Sequence, residues 1–239
     1  MKKIISLVLF LSILTGAFAQ TTDWSKANLA NQAGDHFMVQ FSSDHWANVP
    51  DSISSHQKGF SRGLNIYFMI NKRFKNDPRW SIAFGLGVGS SNIFFNASEV
   101  TLNAAGSTLP FPNDSSTDHF KKYKLATSYL DIPIELRYTA HPEKQNKSWK
   151  FAIGAKVGFM LDAHTKGKTL VDQYGNLIDD YTEKISSTSF FNTTRLCGTA
   201  RIGYGSLSVF TSWQVTSFLR QGAGPGIIPY QVGLCISGL

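Results

Sequence analysis

The 239 residues are enough for one large β domain or two small ones. The formal charge of +7 is a mild basic bias, spread over turns and loops, which argues against a nucleic-acid partner and for contact with anionic lipid headgroups. After the N-terminal run, no stretch approaches the ~20 consecutive apolar residues of a membrane helix, so the exported chain is either soluble or spans as a barrel.

The chain opens with Lys2 and Lys3, an apolar run from Ile4 to Leu14, and Ala17-Phe18-Ala19. This pattern predicts a signal peptide over 1–19, cleaved before Gln20. Residues 20–35 are polar and read as a flexible lead-in, and the barrel is expected over 36–239. The first strand begins near His36, with Phe37, Val39 and Phe41 on one face. Residues 43–59, rich in Ser, Asp, His and Pro, read as a loop. The second strand runs from Phe60 to Phe74, with Leu64, Ile66, Phe68 and Ile70 on one face and Asn65, Tyr67, Met69 and Asn71 on the other. After a short connection at 75–79, the third runs from Trp80 to Phe95. It sets Ile82, Phe84, Leu86 and Val88 against Ser81, Ala83, Gly85, Gly87 and Gly89.

A long polar loop at 96–121 leads to the most regular stretch, YLDIPIELRY at 129–138. Leu130, Ile132, Ile134 and Leu136 share one face; Asp131, Pro133, Glu135 and Arg137 share the other. Period two over this length predicts a strand. Charges of both signs in mid-strand suit a barrel whose aliphatics meet lipid and whose lumen is polar. The fifth strand, Trp149 to Asp162, follows a short turn and places Lys156 and Asp162 on the polar side. Residues 163–189 form a long loop with room for a small hairpin around Tyr174-Gly175-Asn176. Strands at 191–204, 207–215 and 228–239 complete eight, joined by a tight turn at Gly205-Ser206 and a Gly/Pro loop at 220–226.

The reading is therefore all-β: an eight-stranded, antiparallel, up-and-down transmembrane barrel with short periplasmic turns and long external loops. Two aromatic girdles are expected. Phe74, Trp80, Tyr138, Trp149 and Tyr204 fall at the periplasmic strand ends; Phe94, Phe95, Tyr129 and Phe191 fall at the external ends. A soluble lipocalin-type barrel would put the aliphatics inside. Glycine argues against it, because Gly85, Gly87, Gly89, Gly154, Gly158 and Gly203 share the polar face, where an eight-stranded interior is barely wide enough for side chains. The small residues make room for a lumenal ion-pair network of Asp131, Glu135, Arg137, Lys156, Asp162, Arg195 and Arg201, expected to plug the lumen and fix barrel closure. Cys197 and Cys235 lie two strands apart, too far for a disulfide.

KLATSYLDIPIELRY at 124–138 and FAIGAKVGFMLDAH at 151–164 resemble the outer-membrane β-barrel domain family of Bacteroidota, which includes PorT-like proteins. The resemblance covers most of the chain after residue 19. It implies an outer-membrane location and a link to protein secretion, and brings no catalytic residues. No cofactor and no metal site are expected: Asp172, Asp179, Asp180 and Glu183 lack the calcium-loop pattern. A lipid-acting enzyme would need His164 to meet Ser186, Ser187 or Ser189, which no spacing enforces. The expected role is structural, scaffold or interaction-based. The partners are outer-membrane lipid and a protein at the external loops, through Trp46, Phe111, Phe120, Tyr174 and Tyr181, with the chain a monomer. A narrow channel or an accessory part of a secretion apparatus is the alternative.

Overall fold

A computed structural model describes residues 37–238. The expected signal peptide, the lead-in and His36 lie outside the described residues. The strands are β1 (Phe37–Ala47), β2 (Ser61–Arg73), β3 (Trp80–Phe95), β4 (His119–Thr139), β5 (Trp149–Val171), β6 (Leu177–Ser186), β7 (Thr194–Tyr204), β8 (Leu207–Gln214) and β9 (Ile228–Ser237). A single helical turn, α1 (Asp51–Ser54), follows β1.

Successive strands pair antiparallel, except that β7 pairs with β5 rather than β6, and β1 pairs with β9, so the sheet closes. Eight strands make the ring. β6 stands outside it: it pairs only with the outer part of β5, whose inner part pairs with β7. The long loop expected at 163–189 is thus mostly a hairpin arm, β5 turning through Gly175 at φ 86° into β6. Residues 43–47, expected in a loop, continue β1. Their registry with Val232 to Ile228 of β9 satisfies the backbone, and that ladder outweighs the loop-like composition.

Alternation does the radial sorting. Ile66, Phe84, Leu86, Ile134 and Val209 face out and are exposed, whereas Asn65, Tyr67, Asp131 and Glu135 face in and are buried. No described helix is long and apolar enough to cross a membrane; the strands supply the apolar outer wall. Phe74, Trp80, Trp149 and Tyr204 are exposed on that wall at the short-turn end. Trp80 packs edge-on against Tyr138 at 5.0 Å, and Trp149 against Tyr204 at 5.7 Å.

The external girdle differs from expectation. Phe94 faces out, but Phe95, Tyr129 and Phe191 are buried inside. Phe95 shares parity with Gly87 and Gly89, and Tyr129 with Asp131, so alternation carries both inward. Phe191 packs on Phe218 at 4.9 Å.

At the external end, the loops close over the mouth with an apolar core. Trp46, Phe95, Val100, Phe120, Phe191 and Phe218 are all buried there, and Phe111 packs against them. Of the loop aromatics expected to meet a partner, Trp46, Phe111 and Phe120 are therefore used inside this cap. Tyr174 and Tyr181 remain exposed on the β5–β6 arm.

Candidate functional site

The inner wall of the barrel is the most chemically specific part of the molecule. β4 supplies Tyr129, Asp131, Glu135 and Arg137 on one face. β5 supplies Lys156, β7 supplies Arg195 and Arg201, and β2 supplies Tyr67. These side chains form two clusters.

In the outer cluster, Asp131 is fully buried. Arg195 Nη2 donates to both carboxylate oxygens, at 3.0 and 2.9 Å, and Nε to Oδ1 at 3.3 Å. Tyr67 donates its hydroxyl to Oδ2 at 2.9 Å. Lys156 Nζ donates to that hydroxyl at 3.1 Å and lies 3.5 Å from Oδ2. The Arg195 guanidinium also stacks 3.6 Å from the centre of the Tyr129 ring. Tyr129, expected in a girdle, is thus a floor for the cation.

The space is made by backbone. Gly158 lies opposite Asp131 in the β4–β5 register. A Cβ there would come 2.8 Å from Arg195 Nε, and one at Gly89 would come 2.9 Å from Asp131 Oδ2. Both are closer than real Cβ contacts allow, so these two glycines set the width of the site.

In the inner cluster, Glu135 Oε2 accepts from Arg137 Nε at 2.8 Å and from Arg201 Nη2 at 3.1 Å. Arg201 Nη1 donates to Ser237 Oγ of β9 at 3.1 Å. Asp131 and Glu135 together link β2, β4, β5, β7 and β9 through side chains, across the lumen.

Asp162 does not join either cluster. The β4–β5 register slips between Ser128 and Tyr129: Ser128 pairs with Asp162, but Tyr129 with Met160. Leu161 is the extra residue of a bulge, and a one-residue insertion reverses which face follows. Beyond it Ala163 and Thr165 point in, while Asp162 is 43% exposed and pairs with His164 at 2.6 Å.

The polar lumen also holds residues that sequence reasoning missed. Asp44 is buried and accepts from Gln231 Nε2 at 3.1 Å on each oxygen, and from Ser42 Oγ. Asn65 Nδ2 reaches Gln40 at 3.2 Å and Gln231 at 3.4 Å. The parity shared by Gln40, Ser42 and Asp44 was the available signal.

A cavity of about 20 Å³ sits under the cap between Asp44, Tyr129, Arg195, Gln214 and Gln231. About one water needs that much room.

Elsewhere, His164 has no hydrogen bond to a serine among the described residues, and Ser187 and Ser189 share one with each other at 2.8 Å. Asp172 accepts from the backbone of Tyr174 and Asn176, which builds the hairpin turn. Among the described residues, no three His, Cys, Asp or Glu side chains gather as metal ligands.

Residues 18–217 match the family described as "Outer membrane protein beta-barrel domain". Two crystal structures of Ail, the attachment invasion locus protein of Yersinia pestis, are similar, one in complex with the heparin analogue sucrose octasulfate. Identities are 11% and 10%, coverage is 85% of this chain and 96% of Ail in each case, and TM-scores are 0.36 and 0.35. No curated protein matches the chain.

Proposed function

The chain belongs to the outer membrane protein β-barrel domain family, and we propose that in the outer membrane it acts as a non-conducting, non-enzymatic scaffold whose capped external end holds a protein partner. The observation that carries this reading is the filled lumen. Asp131, Glu135, Arg137, Lys156, Arg195 and Arg201 are all buried, and the cavity beside them is about 20 Å³. A conducting pore needs a continuous wet path, and these side chains occupy it.

The ion-pair network holds the ring closed. A hydrogen-bonded barrel without free edges is already constrained, and the Arg195–Asp131 and Arg201–Glu135 bonds add cross-lumen ties between strands that are not neighbours. The contact surface for the partner is the β5–β6 arm, where Tyr174 is 80% exposed. Small tyrosine-bearing turns on rigid strands suit protein contacts. The outer wall is apolar on every side of the ring, which fits a monomer in lipid. A PorT-like accessory role in secretion is one form such a scaffold would take.

Planar-bilayer recording of the refolded protein tests the reading, after a heat-modifiability gel shows a folded barrel. A silent bilayer is expected. Steady single-channel steps would replace the scaffold with a narrow channel.

A further inference from the structure

Above the bulge, the outward face of the wall changes character. Phe94 of β3, Lys124 of β4, Lys166 of β5 and Lys184 of β6 stand directly opposite one another across successive registers. Lys122 and Lys168 form a second cross-strand pair alongside. Directly paired residues of antiparallel strands project to the same side, so these five lysines share one surface. Arg62 joins it, with its guanidinium 5.5 Å from the Phe94 ring.

Like charges placed directly opposite destabilise a sheet. Asp162, lower on the same outward face, is paired with His164 rather than with a lysine. Among the described residues, no carboxylate lies within ion-pair distance of any of the five lysines. Lys124 donates instead to the neutral Asn92 at 2.7 Å. Burial, then the neighbouring Lys166 and Arg62, pull the Lys124 ammonium below the ordinary lysine range. The face is thus built to hold positive charge without an internal partner.

Its height identifies the missing anion. The lipid-facing run of β5 ends at Leu161, and that of β4 at Leu130. Lys166 lies five residues past Leu161, which at ~3.3 Å per residue and a tilt of roughly 40° is about 12 Å above the hydrocarbon edge. Lysine stems bend back toward the headgroup layer. Phe94, in the same row as Lys124, adds an aromatic ring beside the lysines.

We propose that this lysine-lined wall of β4, β5 and β6 binds the phosphate groups of outer-leaflet lipid. The inference rests on the outer-membrane location and is independent of the scaffold role. Bound phosphate would neutralise the facing lysines and fix the β5–β6 arm against the membrane surface.

Native mass spectrometry of the full chain in zwitterionic detergent tests it. The probes are a bisphosphorylated glycolipid, the same glycolipid without phosphate, and soluble tripolyphosphate. The expected result is retention of the phosphorylated glycolipid alone. The triple variant Lys124→Gln, Lys166→Gln, Lys184→Gln should bind it roughly a hundredfold more weakly, about fivefold per lysine. Equal retention by the variant, equal retention of the phosphate-free glycolipid, or equally tight tripolyphosphate binding would each overturn the proposal. A melting curve without lipid separates binding from folding. The variant should melt at or above the parent, because repulsion is relieved, and only the parent should gain on adding the phosphorylated glycolipid. A variant that melts well below the parent would make these lysines structural and also overturn the proposal.

Discussion

The two halves of the barrel wall are built from the same strands and sorted oppositely. In the membrane half, β4 places Asp131, Glu135 and Arg137 inside and Ile132, Ile134 and Leu136 outside. In the external half, the same strand places Tyr123 and Leu125 inside and Lys122 and Lys124 outside. β3 does likewise, from Gly87 against Val88 to Phe95 against Asn92. On β5 the inversion coincides with the bulge at Leu161. The solvent outside changes there from lipid to water, and the inside changes to compensate. Below the line the interior carries the buried charges, beside a smaller apolar cluster of Met38, Met69, Ala83, Phe210 and Cys235; above it there is an ordinary apolar core, ringed by Trp46, Phe95, Phe120 and Phe218. The membrane edge is therefore written in the wall.

The largest expected effect comes from removing the shared acceptor of the outer cluster. Asp131→Leu leaves Arg195 and Lys156 buried without their carboxylate, and should cost about 3–5 kcal/mol of stability. Urea unfolding in detergent, followed by tryptophan fluorescence, measures it. A loss under about 1 kcal/mol would mean the lumen is wet rather than closed by this network.

Placing a charge on the outer wall locates the inversion more sharply. Ile134→Arg faces lipid near the middle and should cost about 2–4 kcal/mol in vesicles. The same residue at Ser128, just above the line, should cost about 0–1 kcal/mol. Equal costs at the two positions would place the membrane edge elsewhere.

The inner cluster is more forgiving. Arg137→Leu leaves Glu135 with Arg201, so the loss should be about 2 kcal/mol, that of one charge-assisted hydrogen bond. A loss as large as that of Asp131→Leu would mean Arg201 does not hold Glu135 by itself.

The membrane half was legible because period two with fixed charges has few other meanings. The stretch 129–138 shows strand, face and lumen at once, and the glycines at 85, 87 and 89 show which face is crowded. The external half was less legible because the rule that sorts it is reversed. Residues 43–47 have the composition of a loop, yet β9 holds them in register. Phe95 and Tyr129 have the composition of girdle residues, and parity alone, which points inward, was the better guide. Asp162 was misplaced by a different cause. A bulge adds one residue without any mark in the alternation, and every face after it is exchanged. Lys166, Lys168 and Lys184 fell within the expected loop at 163–189, and only the registers set them beside Lys122 and Lys124.

The smallest expected effect lies in the cap and depends on pH. Glu99, in the loop after β3, is half-buried, and burial, with Asp114 and Glu183 nearby, raises its carboxyl from 4.5 to about 7. His119 acts in the opposite direction, too weakly to cancel this. Below about pH 4.5 the group is protonated whether the cap is closed or open, and it takes nothing from stability. Between 4.5 and 7 the open cap ionises first, so opening becomes easier as pH rises, and the penalty is complete above 7. Amide exchange at Val100, whose N–H is held by the Tyr123 hydroxyl at 3.0 Å, reports that opening. After correction for the intrinsic pH dependence of exchange, protection should be greater at pH 5 than at pH 8, and Glu99→Gln should flatten the difference. The lumen is out of reach of this titration, so the unfolding of the membrane half should show no matching step from Glu99. If it does, the cap and the lumen form one cooperative unit and the line between the two halves is only chemical.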